Sequence, residues 1–521
     1  MSQRSSSADQ HMAEARSLAS NGEVEAAMRI YHQILAQQPG NKKARKALKA
    51  LQSQPGGPLT RDDFERVTRL MASGKLEAAR AECSQLARHH PEQPALHNLL
   101  GVIHTRMDRP AAAVENYRQA LSLQPDFTDA INNLGAAYSK LGRFENAARC
   151  YQTVLSSNPR DPDSWYNLGN SQRGLGQFRE AVGSYQASLK LRPLSAETYH
   201  NLGNTYVDLG DADNAIAAYE SALGIRDDFH AARRGLATTY FSQGRMADAG
   251  GCYQRLVREN PNDVSALHGL AGVQSNIGQF SAAAENYSKA LALNPGDISA
   301  RHRLNALQDR TSERAPEAYV RSVFDAYAVG FEKHLSDSLG YTAPTKLRAL
   351  YDELSSAEQG LGNGLDMGCG TGLAGVAFRD TVASLTGIDL SAQMLREAEK
   401  KGVYDELIEG DLLSTLPQLQ TPADLIVCAD TLVYLGRLDQ LFLAVAHVAA
   451  AGAHFLFTTE HLLEGDYKLL RSARYAHSKA YVEACAEQAG LSLRHFEITP
   501  LRMERGEWLD GGFYCLEKAA Q

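Results

Sequence analysis

Cysteine is scarce in this chain, and what there is lies scattered. The seven residues, Cys83, Cys150, Cys252, Cys369, Cys428, Cys485 and Cys515, are odd in number and never form a C-x-x-C pair. That excludes a disulfide framework and a zinc ribbon and suits a reducing compartment, with no metal expected. A basic excess is also missing: 53 Lys and Arg stand against 61 Asp and Glu, for a net charge of -8. Nucleic-acid binding, which leaves a basic footprint, is therefore not expected. No apolar run reaches membrane-spanning length, and the polar start, Met1 to Ser7, has no apolar stretch behind it. The expectation is a cytoplasmic protein with no membrane partner. At 521 residues the chain exceeds what one hydrophobic core supports, so at least two domains are expected.

The first 300 residues repeat. Tyr117, Tyr151, Tyr185, Tyr219, Tyr253 and Tyr287 follow one another at intervals of 34, and Ala113, Ala147, Ala181, Ala215, Ala249 and Ala283 keep the same register. A third column is Pro91, Pro125, Pro159, Pro193, Pro261 and Pro295, with Asp227 in its one vacant slot. Gly74, Gly142, Gly176, Gly210, Gly244 and Gly278 make a fourth. Each column has a mechanical reason. Glycine ends a first helix in a left-handed turn. Alanine lets the second helix approach closely, tyrosine four residues on fills the space between hairpins, and proline stops the unit.

This pattern resembles the tetratricopeptide repeat, carried most closely by "NNLGAAYSKLGRFENAARCYQTVLSSNP" and "NLGNTYVDLGDADNAIAAYESAL". The expected organisation is a disordered tail over 1–11, then an all-α superhelix of about eight repeats over 12–309. The segment from Leu51 to Thr60 interrupts the period as a loop. A solvating cap helix, "DISARHRLNALQD", closes the array. Stacked hairpins leave a concave face that binds a protein or peptide. On that face Asn133, Asn167 and Asn201 recur at 34 residues, with Asn170 and Asn204 as a second short column. An amide both donates and accepts, so such a ladder can hold an extended peptide backbone. It is similar to the ladder lining the repeats of O-linked N-acetylglucosamine transferases. The alternative is that these asparagines merely decorate a solvated helix.

After a linker at 310–316 the pattern changes to short apolar runs alternating with helical stretches, the signature of a parallel sheet flanked by helices. Strands are expected near Leu365–Met367, Ser384–Ile388, Glu406–Glu409, Asp424–Cys428 and His454–Thr458, with a closing pair near Leu491–Thr499 and Gly511–Glu517. The first leads into "LDMGCGTGLAG", where Asp366, Gly368, Gly370 and Gly372 make an acidic-x-Gly-x-Gly-x-Gly turn. Gly370, Gly372 and Gly375 would also satisfy a dinucleotide motif. Asp366 separates the two readings: it would repel a pyrophosphate and attract the methionyl ammonium of S-adenosylmethionine. Asp389, at the end of the second strand, suits the ribose hydroxyls. Asp411, after the third, suits the adenine amino group, with Leu390 and Leu412 over the ring faces.

This layout resembles the class I methyltransferases, an α/β Rossmann-like domain with a seven-stranded sheet, here over 317–521. Within that class the region resembles the bacterial family of methyltransferases fused to tetratricopeptide repeats, on the segments "FDAYAVGFEKHL", "LDMGCGTGL", "ADTLVYLG" and "RYAHS". The resemblance implies S-adenosylmethionine as cofactor and a lid helix that sets Tyr327 beside it. Candidates for a general base are Tyr434 and His477, then His334 and His461. An Asn/Asp-Pro-Pro-Tyr turn and a paired-glutamate loop are both missing. That disfavours DNA, arginine and glutamine as acceptors and leaves lysine amines, carboxylates, hydroxyls and small molecules. The expected activity is methylation of a protein or peptide recruited by the repeats. Its alternative is a small-molecule enzyme whose repeats only dock it.

Overall fold

The structure is a computed structural model that describes residues 2–52, 59–327, 340–355, 361–504 and 507–519. By its internal contacts the chain falls into two compact units, Met1–Thr205 and Tyr206–Gln521.

In the first unit helices alternate with tight turns at the expected period. Tyr117, Tyr151 and Tyr185 are buried, as are Ala113, Ala147 and Ala181. The small residues have a packing reason. A Cβ on Gly169 would stand 2.8 Å from the Tyr185 ring, and Gly135 meets Tyr151 in the same way. The turn glycines have the backbone reason expected of them: Gly74, Gly142 and Gly176 have φ of 73°, 70° and 73°. The slot at 108 lacks a glycine, and Asp108 takes the same left-handed conformation at φ 57°. One expectation needs correction. The segment read as a disordered tail is helical, since the first helix runs Ser2–Ser20. Residues 53–58 of the interrupting loop lie outside the described residues, and Thr60 at its end caps the helix Arg61–Ala72 in a capping box with Asp63.

The second unit holds the later hairpins and one mixed sheet. Its strands are β1 (Leu361–Met367), β2 (Val382–Asp389), β3 (Glu406–Glu409), β4 (Ala423–Cys428), β5 (Ala449–His461), β6 (Tyr467–Leu469), β7 (Tyr475–His477), β8 (Leu491–Glu504) and β9 (Glu507–Lys518). Their order is β3-β2-β1-β4-β5-β7-β6, with β9 antiparallel to β5 and to β8. The seven expected strands are all present. The short strands β6 and β7 are additions, seated on a C-terminal extension of β5.

Alternate residues of β4 enter different cores, as the pleat requires. Ile426 and Cys428 face Met367, Ile388, Phe442 and Phe457, whereas Leu425 and Val427 face Leu347, Phe378 and Leu456. Both faces of the sheet are thus covered. Chain order reverses between β1 and β4, and at such a switch point the strand ends open a crevice.

The helix Ile298–Leu307, expected to be a solvating cap, is instead packed against the α/β part. His302 is buried, its Nε2 lies 3.1 Å from the Ala473 carbonyl, and its ring meets those of Tyr319 and Tyr475. Arg471 stands over the Phe280 ring at 4.7 Å. The segment 310–316 is likewise a strap rather than a loose linker. Glu313 O accepts from the amides of Gly436 and Arg437, both at 2.8 Å, and Ala315 N donates to Tyr434 O at 2.9 Å. Ser312 Oγ and the Tyr475 hydroxyl are 2.6 Å apart. Burial of these apolar and aromatic groups joins the last hairpins to the sheet.

Candidate functional site

The turn after β1 uses three left-handed residues in five, Gly368, Gly370 and Gly372, at φ 72°, 54° and 92°. Side chains are excluded there on space as well as on angle. A Cβ on Gly368 would lie 2.2 Å from Thr431 Oγ1, and one on Gly372 would lie 3.0 Å from the Tyr404 ring. Gly370 differs, because a Cβ there meets nothing within 4 Å. It faces a cavity of about 350 Å³ at the strand ends.

Four of the turn's amides are spent internally. Gly368 N and Cys369 N both donate to Ile388 O, at 2.8 and 3.0 Å, and Gly372 N donates to Cys369 O at 2.8 Å. Gly370 N donates to Asp389 Oδ2 at 2.9 Å. A pyrophosphate cradle needs such amides free to point at the ligand. Here the turn presents a closely approachable backbone and one carboxylate.

That carboxylate, Asp389, also takes Ser391 N on Oδ1 at 2.8 Å. Burial pushes its carboxyl up, and the backbone amides of Ser391, Gly370 and Leu390 partly offset this. A carboxylate has about four acceptor sites, so capacity remains for a hydroxyl. One strand further on, Asp411 Oδ1 accepts from Leu413 N at 3.1 Å and so caps the short helix Leu412–Thr415. Asp411 Oδ2 is 3.3 Å from Arg314 Nη1, so the strap reaches the expected adenine end. From the helix Glu317–Tyr327, Asp325 accepts from Ser391 Oγ at 2.5 Å and Arg321 pairs with Glu409 at 2.6 Å.

Of the residues singled out from sequence, Gly368, Gly370, Asp389, Leu390, Asp411, Leu412 and Tyr434 line this one cavity. Gly372 shapes the turn from behind. Asp366 is 2% exposed and is not part of the wall. Its Oδ2 accepts from the Tyr404 hydroxyl at 2.6 Å, and burial pushes its carboxyl up to about 7. His477 does not join the site either. It is buried on β7, its Nε2 lies 3.1 Å from Gly436 O, and burial pushes it down to about 4. It packs between Tyr467 and Tyr481. His461 is also absent from the wall. The side chain of Tyr327, with Phe331 and His334, lies outside the described residues.

In the first unit the asparagines are partly spent on one another. Asn133 Nδ2 donates to Asn98 Oδ1 at 3.1 Å, and Asn201 Nδ2 donates to Asn170 Oδ1 and to the Tyr166 hydroxyl, each at 2.9 Å. Asn204 Nδ2 lies 3.2 Å from His200 Nε2, and Asn167 is half-buried. The pairs Asn98–Asn133 and Asn170–Asn201 therefore stitch successive hairpins.

Sequence reasoning missed Arg303, Arg314, Tyr341, Asp430, Arg474 and Arg502, all of which line the cavity. Asp430 stood within a segment noted for resemblance, directly after a strand. The arginines are single charges far from the glycine turn in sequence, and no spacing announces them.

Family models match both parts of the chain. A family described as methyltransferase domain matches residues 365–452, from β1 into β5. Tetratricopeptide-repeat families match 111–142, 132–196, 166–228 and 206–272. The chain therefore joins tetratricopeptide repeats to a class I methyltransferase domain. It matches the layout of the repeat-containing methyltransferases. Among curated proteins no relative matches it. Among solved structures it is similar to MamA 41-end from Desulfovibrio magneticus RS-1, at 21% identity over 32% of this chain and 94% of that one, with a TM-score of 0.31. It is also similar to a tetratricopeptide repeat protein from Parabacteroides merdae ATCC 43184, at 20% identity over 47% and 98%, with a TM-score of 0.38.

Proposed function

We propose that the methyltransferase domain uses S-adenosylmethionine to methylate a protein or peptide that the repeats recruit. The observation that carries the cofactor reading is the glycine turn. Four of its amides are engaged internally, its middle glycine opens on the cavity, and acids stand at the ends of the next two strands in the chain. A diphosphate would face the Asp389 carboxylate, which already holds the middle amide of the turn. Adenosine suits the donor set: Asp389 would take the ribose hydroxyls and Asp411 the adenine amino group, with Leu390 and Leu412 against the ring.

Bound S-adenosylmethionine would supply a methyl group on a cationic sulfur, open to in-line displacement. The chain's part is to align the acceptor and keep water out. Phe324 meets Tyr434 edge-on at 5.4 Å beside the cavity, and such apolar walls exclude solvent. The recruiting role rests on the repeats, whose stacked hairpins are a common protein-binding surface. Methylation occurs in the reducing cytoplasm on this reading.

The test is calorimetry with S-adenosylmethionine and with NAD, followed by tritiated-methyl transfer in a cell lysate. We expect the first ligand alone to bind, and a polypeptide to carry the label. Asp389→Ala is expected to weaken cofactor binding by at least about 10-fold, since it removes hydrogen bonds to a charged group. Binding of NAD in place of S-adenosylmethionine would end the proposal.

A further inference from the structure

The wall of the cavity beyond the glycine turn carries charges that the cofactor's adenosine does not account for. Asp430 follows β4 with φ 54°, and its N–H donates to Thr458 Oγ1 at 2.8 Å. Its Oδ1 accepts from Arg502 Nη1 at 2.6 Å. The other arm of the same guanidinium is held by Glu460, and Arg474 approaches Glu460 at 3.9 Å. The Arg502 and Glu460 side chains are each 1% exposed, whereas 17% of the Asp430 side chain is open.

This arrangement is expensive. Burying a guanidinium between two carboxylates costs desolvation that an apolar core would avoid, so it calls for a purpose other than stability. The non-glycine left-handed backbone at Asp430 adds a further cost, of the kind found at functional sites. What both costs achieve is to hold one carboxylate in a fixed place. Thr431 Oγ1 lies 3.4 Å from Gly368 O, so the neighbouring Asp430 is beside the first glycine of the turn. Phe324, Tyr341 and Tyr434 line the cavity with it. Asp389 and Asp411 are committed to the strand ends and their amides. Asp430 is thus an acid placed where adenosine is not.

We propose that Asp430 is a catalytic residue that engages the methyl acceptor, and that the acceptor is a protic nucleophile, an amine or a hydroxyl, rather than a carboxylate. This rests on the cofactor reading above. An acceptor N–H or O–H donates to Asp430, which aligns the lone pair. As that lone pair forms the new bond to the methyl carbon, the carbon–sulfur pair stays on sulfur. Asp430 takes the proton the acceptor loses and passes it to water. A carboxylate acceptor would have no such proton to give, and Asp430 would have no role in its methylation. Arg502 is a positioning residue, clamped by Glu460 so that the Asp430 oxygens stay fixed. Arg474 balances the second acid of the group.

The experiment uses the full chain, tritiated S-adenosylmethionine, and a cell lysate separated into macromolecules and small molecules as acceptor sources. Asp430→Asn keeps the size of the side chain and tolerates the left-handed backbone, and Asp430→Gly suits that backbone equally. Both variants are expected to bind S-adenosylmethionine with wild-type affinity by calorimetry while transfer falls about 100-fold or more, the scale of a lost general base. Wild-type label is expected to survive mild alkali, and acid hydrolysis then separates N-methyl from O-methyl products. Alkali-volatile methanol, which marks a methyl ester, overturns the inference. So does undiminished transfer by Asp430→Asn. Lost cofactor affinity in both variants overturns it as well, by making Asp430 a ligand of the cofactor. Failure of the wild type to bind S-adenosylmethionine strikes instead at the underlying cofactor reading, and this inference falls with it.

Discussion

Replacing Asp366 by asparagine measures what the fold gives up to keep a charge behind the glycine turn. Asp366 is buried, its Oδ2 takes the Tyr404 hydroxyl, and burial pushes the carboxyl from 3.8 up to about 7. A carboxyl raised in the folded state holds its proton there longer than in the unfolded chain. The fold therefore loses stability as pH climbs from 3.8 to 7, and recovers it as pH falls. At 1.36 kcal/mol per unit, the ionised group costs about 4 kcal/mol at pH 8 and less than about 1 kcal/mol near pH 4. Asparagine has nearly the same shape, keeps an acceptor for Tyr404 and cannot ionise. The melting transition that responds to S-adenosylmethionine is expected to rise on the order of 5–10 °C in Asp366→Asn at pH 8. The gain is expected to shrink steadily toward pH 4. His477 acts with the opposite sign. Pushed down to about 4, it draws stability away as pH falls from 6.5 to 4, but equally in both proteins, so it cancels in the difference. Differential scanning calorimetry at four pH values reads the effect. A gap independent of pH, or a variant that melts below wild type at pH 8, refutes the reasoning.

Other expectations concern the strap and the repeats. Arg314→Ala removes the partly exposed contact to Asp411, so cofactor affinity should fall by only about 2- to 5-fold. A chain beginning at Glu317 also loses the Glu313 and Ala315 backbone bonds and the His302 contact. It should melt below one beginning at Tyr206, and equal melting points would show that the strap is idle. In the repeats, Gly169→Ala forces a Cβ to within 2.8 Å of Tyr185 and should cost about 1–3 kcal/mol. Gly183→Ala, in the interior of the helix Phe178–Leu191 with open space around it, should instead stabilise by about 0.5–1 kcal/mol. Urea unfolding distinguishes the two, and the same sign for both would contradict the packing argument.

Much of the architecture was legible because it is written locally. A left-handed turn, a close helix crossing and a strand-ending glycine each need a residue type at a fixed offset. Gly142, Ala147 and Tyr151 could therefore be placed in their roles before any contact was known. The cofactor wall was legible for the same reason, since Gly370, Asp389 and Asp411 each stand at or just past a strand end. Asp366 and His477 were harder. Motif position put both near the chemistry, but hydrogen bonds to Tyr404 and Gly436 turn them into the packed interior. Exposure at a strand end depends on which neighbours arrive, and those neighbours lie 38 and 41 residues away in the chain.

By itself the amino-acid order determined the helical period, the strand sequence, the glycine turn and the acids that follow it, because backbone preference and apolar periodicity act over a few residues. Only the tertiary structure decided that the supposed cap helix docks, that 310–316 is a strap, and that Arg502 clamps Asp430 across 72 positions of sequence. Burial and charge pairing depend on distance in space, and a chain that folds back through a sheet sets those distances by its topology rather than by its spacing.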